Sequence, residues 1–179
     1  MKRLLACMAV TGLTTLGVLA QEQPFQASLT PDIAVYPQTT EIAGLTLSIW
    51  GENPQHALAI GFVNGTASES GGLSLGLVNY GDDYKGVQWG VANYTRGDFL
   101  GWQNGVVNYT GGRFTGFQSG WINYADTLSG VQFGLLNIAE KTDDGVQVGI
   151  VNILRENTVW FTDFPKSVAP GMIFVNWCF

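Results

Sequence analysis

The chain has 179 residues and carries 14 acidic against eight basic side chains, for a net charge of −6. That balance argues against a nucleic-acid partner, since there is no basic patch to neutralise phosphates. With 46% hydrophobic and only 12% charged residues, the chain is too apolar for a disordered acidic tail, and its length suits a single domain.

The first element expected is a secretory signal peptide over residues 1–20. Lys2 and Arg3 precede an apolar stretch from Leu4 to Ala20, Val18 and Ala20 form a small-residue cleavage pattern, and the chain turns polar at Gln21. Without Lys2 and Arg3, six basic residues face 14 acidic ones, a net charge of −8. Cys178 is then the only cysteine left, so no intramolecular disulfide can staple the fold. Nothing after residue 20 is apolar for long enough to make a membrane helix.

Residues 21–43 follow no repeat and read as an N-terminal cap. From residue 44 to 156 the chain repeats itself, with a Gly-x-x-Asn core ending at Asn64, Asn79, Asn93, Asn108, Asn123, Asn137 and Asn152, at separations of 15, 14, 15, 15, 14 and 15 residues. Five copies place glutamine two residues before the second glycine, at Gln88, Gln103, Gln118, Gln132 and Gln147, where the first two have Ala59 and Ser74. Residues 44–51 read as a worn eighth copy, with Ser48 in the glycine place and Gly51 in the asparagine place. Residues 157–179 again leave the pattern and read as a C-terminal cap.

Stretches such as Gly86–Tyr94 combine β-favouring side chains with two glycines, a poor recipe for a helix. Tyr80–Lys85 and residues 110–113 read as turns. The chain is therefore expected to be all-β, built either as a β-solenoid of seven to eight coils or as an up-and-down β-barrel. The ending Ile173–Phe179, with alternating apolar residues and a terminal aromatic, resembles the last strand of bacterial outer-membrane barrels. Against a barrel, both residues after the second glycine are apolar in every copy, for example Val106 and Val107. Strict alternation would then turn all seven asparagines toward lipid, at several kcal/mol for each unpaired group. A solenoid corner explains the doubled apolar residues, and stacked glutamines and asparagines can bond along the axis as ladders, so the solenoid is the reading preferred.

The Gln-x-Gly-x-x-Asn unit is similar to the motif of curli-type fibre subunits, although curli repeats are longer and carry polar flanks that are absent here. Residues 44–153 look more like the leptospiral-type surface-repeat family, strings of Gly-Val-Gln-x-Gly-x-x-Asn with a leading Gly-x-x-Leu-x-x-x-x-Gly unit. That resemblance implies an exported bacterial protein of the cell surface, outer membrane or periplasm, and carries no catalytic residue with it.

No catalytic, metal or cofactor-binding residue is expected from the residues themselves. His56, the only histidine, sits alone in a turn and supports neither a triad nor a zinc site. The pairs Asp82-Asp83 and Asp143-Asp144, with Asp98 and Asp126, lack the spacing of calcium-binding β-rolls and read as solvated, edge-protecting charges. Tyr80, Tyr94, Tyr109 and Tyr124 share one repeat position with Ile138 and Ile153, which suggests an inward or semi-buried ladder. Trp89, Trp102 and Trp121 occupy three different positions and form no single stripe. Asn64, Asn93 and Asn108 open glycosylation sequons by accident of the repeat. The function expected is a non-enzymatic exported scaffold for adhesion, envelope structure or binding of protein or glycan at the cell surface. The other reading is a small outer-membrane barrel acting as pore or anchor.

Overall fold

Residues rich in glycine, valine and aromatics form extended chain that bonds to the copy before and the copy after. A computed structural model of the protein describes residues 22–179, and the expected signal peptide lies outside them. Nine strands follow in chain order: β1 Gln23–Thr30, β2 Ile33–Ala34, β3 Ile42–Glu52, β4 Leu58–Leu75, β5 Val78–Trp89, β6 Ala92–Thr95, β7 Phe99–Asn104, β8 Val107–Leu154 and β9 Gly171–Cys178. They build a β-solenoid of about six turns, with no helix among the described residues. The barrel reading is thereby corrected: neighbouring copies pair parallel, as β4 with β5 and β7 with β8, whereas an up-and-down barrel alternates direction. The coil number falls below the expected seven to eight because seven asparagines bound only six circuits.

The register follows the repeat residue by residue. Asn64 faces Asn79, Asn79 faces Asn93 and Asn93 faces Asn108, while Gln88 faces Gln103 and Gln103 faces Gln118. The worn copy joins in the expected register, Ser48 opposite Gly61 and Gly51 opposite Asn64. The 48 residues of β8 stay extended around successive corners.

The corner lies at the doubled apolar residues. The N–H groups of Val106 and Val107 both donate to Val91 O, at 2.8 and 3.0 Å, and those of Trp121 and Ile122 both donate to Val106 O, each at 3.0 Å. Two successive donors on one carbonyl bend the chain, and both side chains then point outward. The expected turns at Tyr80–Lys85 and 110–113 are instead extended chain within β5 and β8. There the backbone finds partners in the adjacent copies, so glycine and aspartate do not break it. Arg96–Asp98 leaves the strand conformation at that level of the coil, as residues 53–57 do in the worn copy.

The interior is a narrow space with a polar and an apolar side. On the apolar side Tyr84, Phe99, Phe114 and Leu128 stack, with ring centroids 5.8 Å apart for Tyr84–Phe99 and 5.5 Å for Phe99–Phe114, and Ala125, Ala139 and Leu154 complete the cluster. This row runs through the segments that sequence reading treats as turns. At the N-terminal end β2 pairs antiparallel with β1. At the other end β9 lies antiparallel on the last copy, and Phe161 and Val168 bond back over it, Val168 N donating to Trp177 O and Phe161 N to Val168 O. Both ends of the stack are thus partly closed against further strands.

Candidate functional site

The amide side chains that the repeat singles out are committed inside the coil. Asn64, Asn79, Asn93, Asn108, Asn123, Asn137 and Asn152 are buried, and each Nδ2 from Asn64 to Asn137 donates to the Oδ1 of the next asparagine toward the C-terminus at 2.7–3.0 Å. Gln88, Gln103, Gln118, Gln132 and Gln147 form a second ladder of the opposite polarity, each Nε2 donating to the preceding Oε1 at 2.7–3.0 Å. Opposed dipoles running side by side cancel in a space of low dielectric. The two ladder ends, Gln88 Nε2 and Gln147 Oε1, are left without a partner. At the first end Ser74, which stands in the glutamine place, bonds Asn79 Oδ1 instead, at 2.8 Å. Glycosylation at Asn64, Asn93 or Asn108 would have to remove a buried, bonded amide from its ladder, consistent with accidental sequons.

Inside the apolar row, burial pushes the Tyr84 hydroxyl well above the usual tyrosine range, and that hydroxyl has no hydrogen-bond partner among the described residues. Tyr84→Phe repeats what Phe99 and Phe114 already do. It is expected to leave stability unchanged or raise it by up to ~1 kcal/mol, because an unsatisfied buried hydroxyl is removed. Thermal unfolding checks this, and a clear loss of stability would show that the hydroxyl is satisfied in solution.

With the interior occupied, the outer surface is what remains for recognition. Its polar part is one edge, formed by the segments that link successive copies. Asp82 Oδ1 accepts from Arg96 Nη1 at 2.8 Å, Asp83 Oδ1 from Asp98 N at 2.7 Å and Asp98 Oδ1 from Arg113 N at 2.7 Å, while Arg113 also pairs with Asp143. The carboxylates are thus tied to backbone donors and arginines of adjacent copies, and no cluster of three or more metal-ligating side chains forms among the described residues. Asp126 accepts from Thr127 Oγ1 at 3.2 Å. His56 Nε2 lies 3.0 Å from Glu41 Oε1.

The tyrosine row is half-buried, as one of the two expected arrangements has it, but it does not point inward. Asn93 is buried, Tyr94 is 43% exposed and Thr95 is buried again, so alternation places the ring outside. Tyr94, Tyr109 and Tyr124 stack on one another with centroids 5.1 and 4.8 Å apart and nearly parallel planes. At the head of the row the Tyr80 hydroxyl bonds Glu52 and accepts from Trp50, and its pKa is pushed up to about 12, first by burial and then by the Glu52 carboxylate. The tryptophans occupy three repeat positions, yet Trp89 and Trp102 pack diagonally across coils at 5.3 Å, and Trp102 packs at 6.3 Å on its register partner Phe117.

Compared with protein-family models, with curated proteins and with solved structures, the chain has no match.

The rest of the outer surface is apolar. Phe62, Leu77, Val91, Trp121, Leu135 and Ile150, the residues just past the corner glycine, are each about half exposed or more. On the adjoining face Trp89, Trp102, Phe117 and Phe133 are exposed as well. Two polar side chains interrupt that face, Asn104 and Ser119, and they bond each other: Ser119 Oγ donates to Asn104 Oδ1 at 2.7 Å and accepts from Trp102 Nε1 at 3.1 Å. Near the C-terminal end the corner deepens into a groove of about 430 Å³, lined by Trp121, Phe133, Leu135, Val148, Ile150 and Phe174 around Gly120, Gly134 and Gly149. The candidate site is this outer apolar surface. Sequence reading supplied its parts, the doubled apolar residues and the tryptophans, without showing that they join.

Proposed function

We propose that the protein is an exported, non-enzymatic bacterial scaffold that acts at the cell surface or in the envelope through the outside of its solenoid. The observation that carries this reading is the inverted distribution of side chains. The amides bond one another inside, and apart from the buried row of Tyr84, Phe99, Phe114 and Leu128 most large apolar and aromatic residues are displayed outside, where contiguous apolar area marks interaction sites. The side chains able to do chemistry support a non-catalytic role, since they are spread along an edge, several of them paired with arginines or backbone N–H groups.

The export part rests on residues 1–20 and on the repeat's likeness to exported surface proteins. Expressed with its own N-terminus in a bacterium, the protein is expected in the envelope or medium, with a mass that starts at Gln21. An intact chain beginning at Met1 and confined to the cytoplasm would overturn the export reading.

A further inference from the structure

We propose that the two apolar faces are a membrane seat: the solenoid lies with its axis in the plane of a lipid leaflet, the corner ridge among acyl chains and the charged edge in water. The chemistry recognised is the hydrocarbon of a lipid layer. Burial of apolar area drives the association, without attraction to any particular headgroup.

The first support is the segregation of charge. Between residues 58 and 153 every Asp, Glu, Lys and Arg falls in the segment that starts three residues after a repeat asparagine and ends before the next coil's first glycine. The arc from that glycine to the residue after the asparagine, Gly86–Tyr94 in one copy, holds no charge in any copy. An uncharged medium on one side and water on the other matches this division. The stacked tyrosines lie at its boundary, where an amphipathic ring is favoured at a membrane interface.

The second support is area and shape. From their fractional exposures, the large apolar side chains of the arc present on the order of 1,700 Å², about twice the ~800 Å² that one partner contributes to a standard protein complex. The arc also bends round the corner, so a second copy laid on one face would leave the other in water. A fluid hydrocarbon phase covers both faces of a convex ridge. The groove at Gly120, Gly134 and Gly149 admits a chain of methylenes between Trp121 and Ile150.

The third support is that the coil backbone and the repeat amides are bonded to one another. Backbone groups of the coils bond along the axis, Asn104 and Ser119 bond each other, and the amides are inside. Unpaired polar groups are what bar irregular chain from hydrocarbon.

The test uses the purified full chain, as the cell delivers it, with phosphatidylcholine vesicles. Co-sedimentation is expected, together with quenching of tryptophan fluorescence when the acyl chains are brominated. The double variant Trp121→Glu/Ile150→Glu, at positions 63% and 59% exposed, is expected to lower vesicle affinity at least about tenfold with an unchanged far-ultraviolet circular dichroism spectrum. Lys141→Glu, which changes net charge by the same amount on the charged edge, is expected to stay within about twofold of the parent. Absence of vesicle binding and quenching in the parent chain would overturn the proposal. So would equal losses in the two variants, or a stable dimer in vesicle-free buffer that the double variant converts to monomer. The inference rests on the outer surface being the working surface and not on export, so a cytoplasmic chain that still binds vesicles would sink the export reading and leave this one standing.

Discussion

Gly101→Ala is expected to destabilise the protein by roughly 3 kcal/mol or more, enough to lose the cooperative unfolding transition under mild denaturant. Gly101 has φ +136°, a backbone conformation that side-chain-bearing residues rarely adopt, and a Cβ built there would lie 2.0 Å from Gly86 O. That atom is backbone of the neighbouring coil, fixed by its own pairing with Gly101, so it cannot swing aside as a flexible side chain would. Relief requires the two coils to separate at this point, which breaks the bonds on which the stack depends. Urea unfolding followed by circular dichroism measures the effect, and an unchanged midpoint would show that the coils tolerate a wider spacing.

Asn108→Leu is expected to cost about 3 kcal/mol, although the number and branching of side-chain heavy atoms stay the same. Asn108 is fully buried; its Nδ2 donates to Ser119 O at 2.7 Å and to Asn123 Oδ1 at 2.8 Å, and its Oδ1 accepts from Asn93 Nδ2 at 2.7 Å. Leucine removes all three bonds and leaves Asn123 Oδ1 facing hydrocarbon without its ladder donor. Asn93 keeps a second acceptor in Asn104 O, so the damage runs mainly toward the C-terminal coils. The companion measurement is Trp121→Ala on the outer ridge, where a large apolar side chain that is 63% exposed contributes little to the fold, and a change within about 0.5 kcal/mol is expected. If removing the buried amide proved harmless while removing the outer tryptophan unfolded the protein, the inside-out description would be wrong.

The contrast between these two substitutions locates what was legible in the sequence. A repeat of 14 or 15 residues already implies stacked strands, and two apolar residues in succession at a fixed place already imply a corner. The amide ladders follow from the same pattern, because asparagines repeated in register can bond along the axis, while their burial is shown by the fold. Even the worn copy could be aligned in advance, Ser48 with Gly61 and Gly51 with Asn64, and β3 and β4 pair in that register.

Other features needed coordinates. Tyr84, Phe99, Phe114 and Leu128 each precede a repeat glutamine by four residues, a signal present in the sequence but hidden among glycine and aspartate. Local turn propensity conceals such a row because backbone partners in adjacent coils override it. The tyrosine row was open between two placements in the sequence, inward or semi-buried, and only the fold shows it half-buried on the outside, where the isoleucines that share its position also lie. Ladder polarity, with asparagines donating forward and glutamines backward, depends on which carbonyl lies next to each amide nitrogen, and composition carries no information on that.

By itself the sequence determined the period and the segregation of charge into one arc of each repeat, because these are properties of spacing that any stacking must preserve. Only the tertiary structure decided that the charge-free arcs line up into one continuous convex surface, that Trp89 meets Trp102 across coils and that the ends are closed by β2 and β9. Those outcomes depend on the angle at the corner and on contacts between residues 14 or 15 apart, which exist only once one coil has been laid on the next.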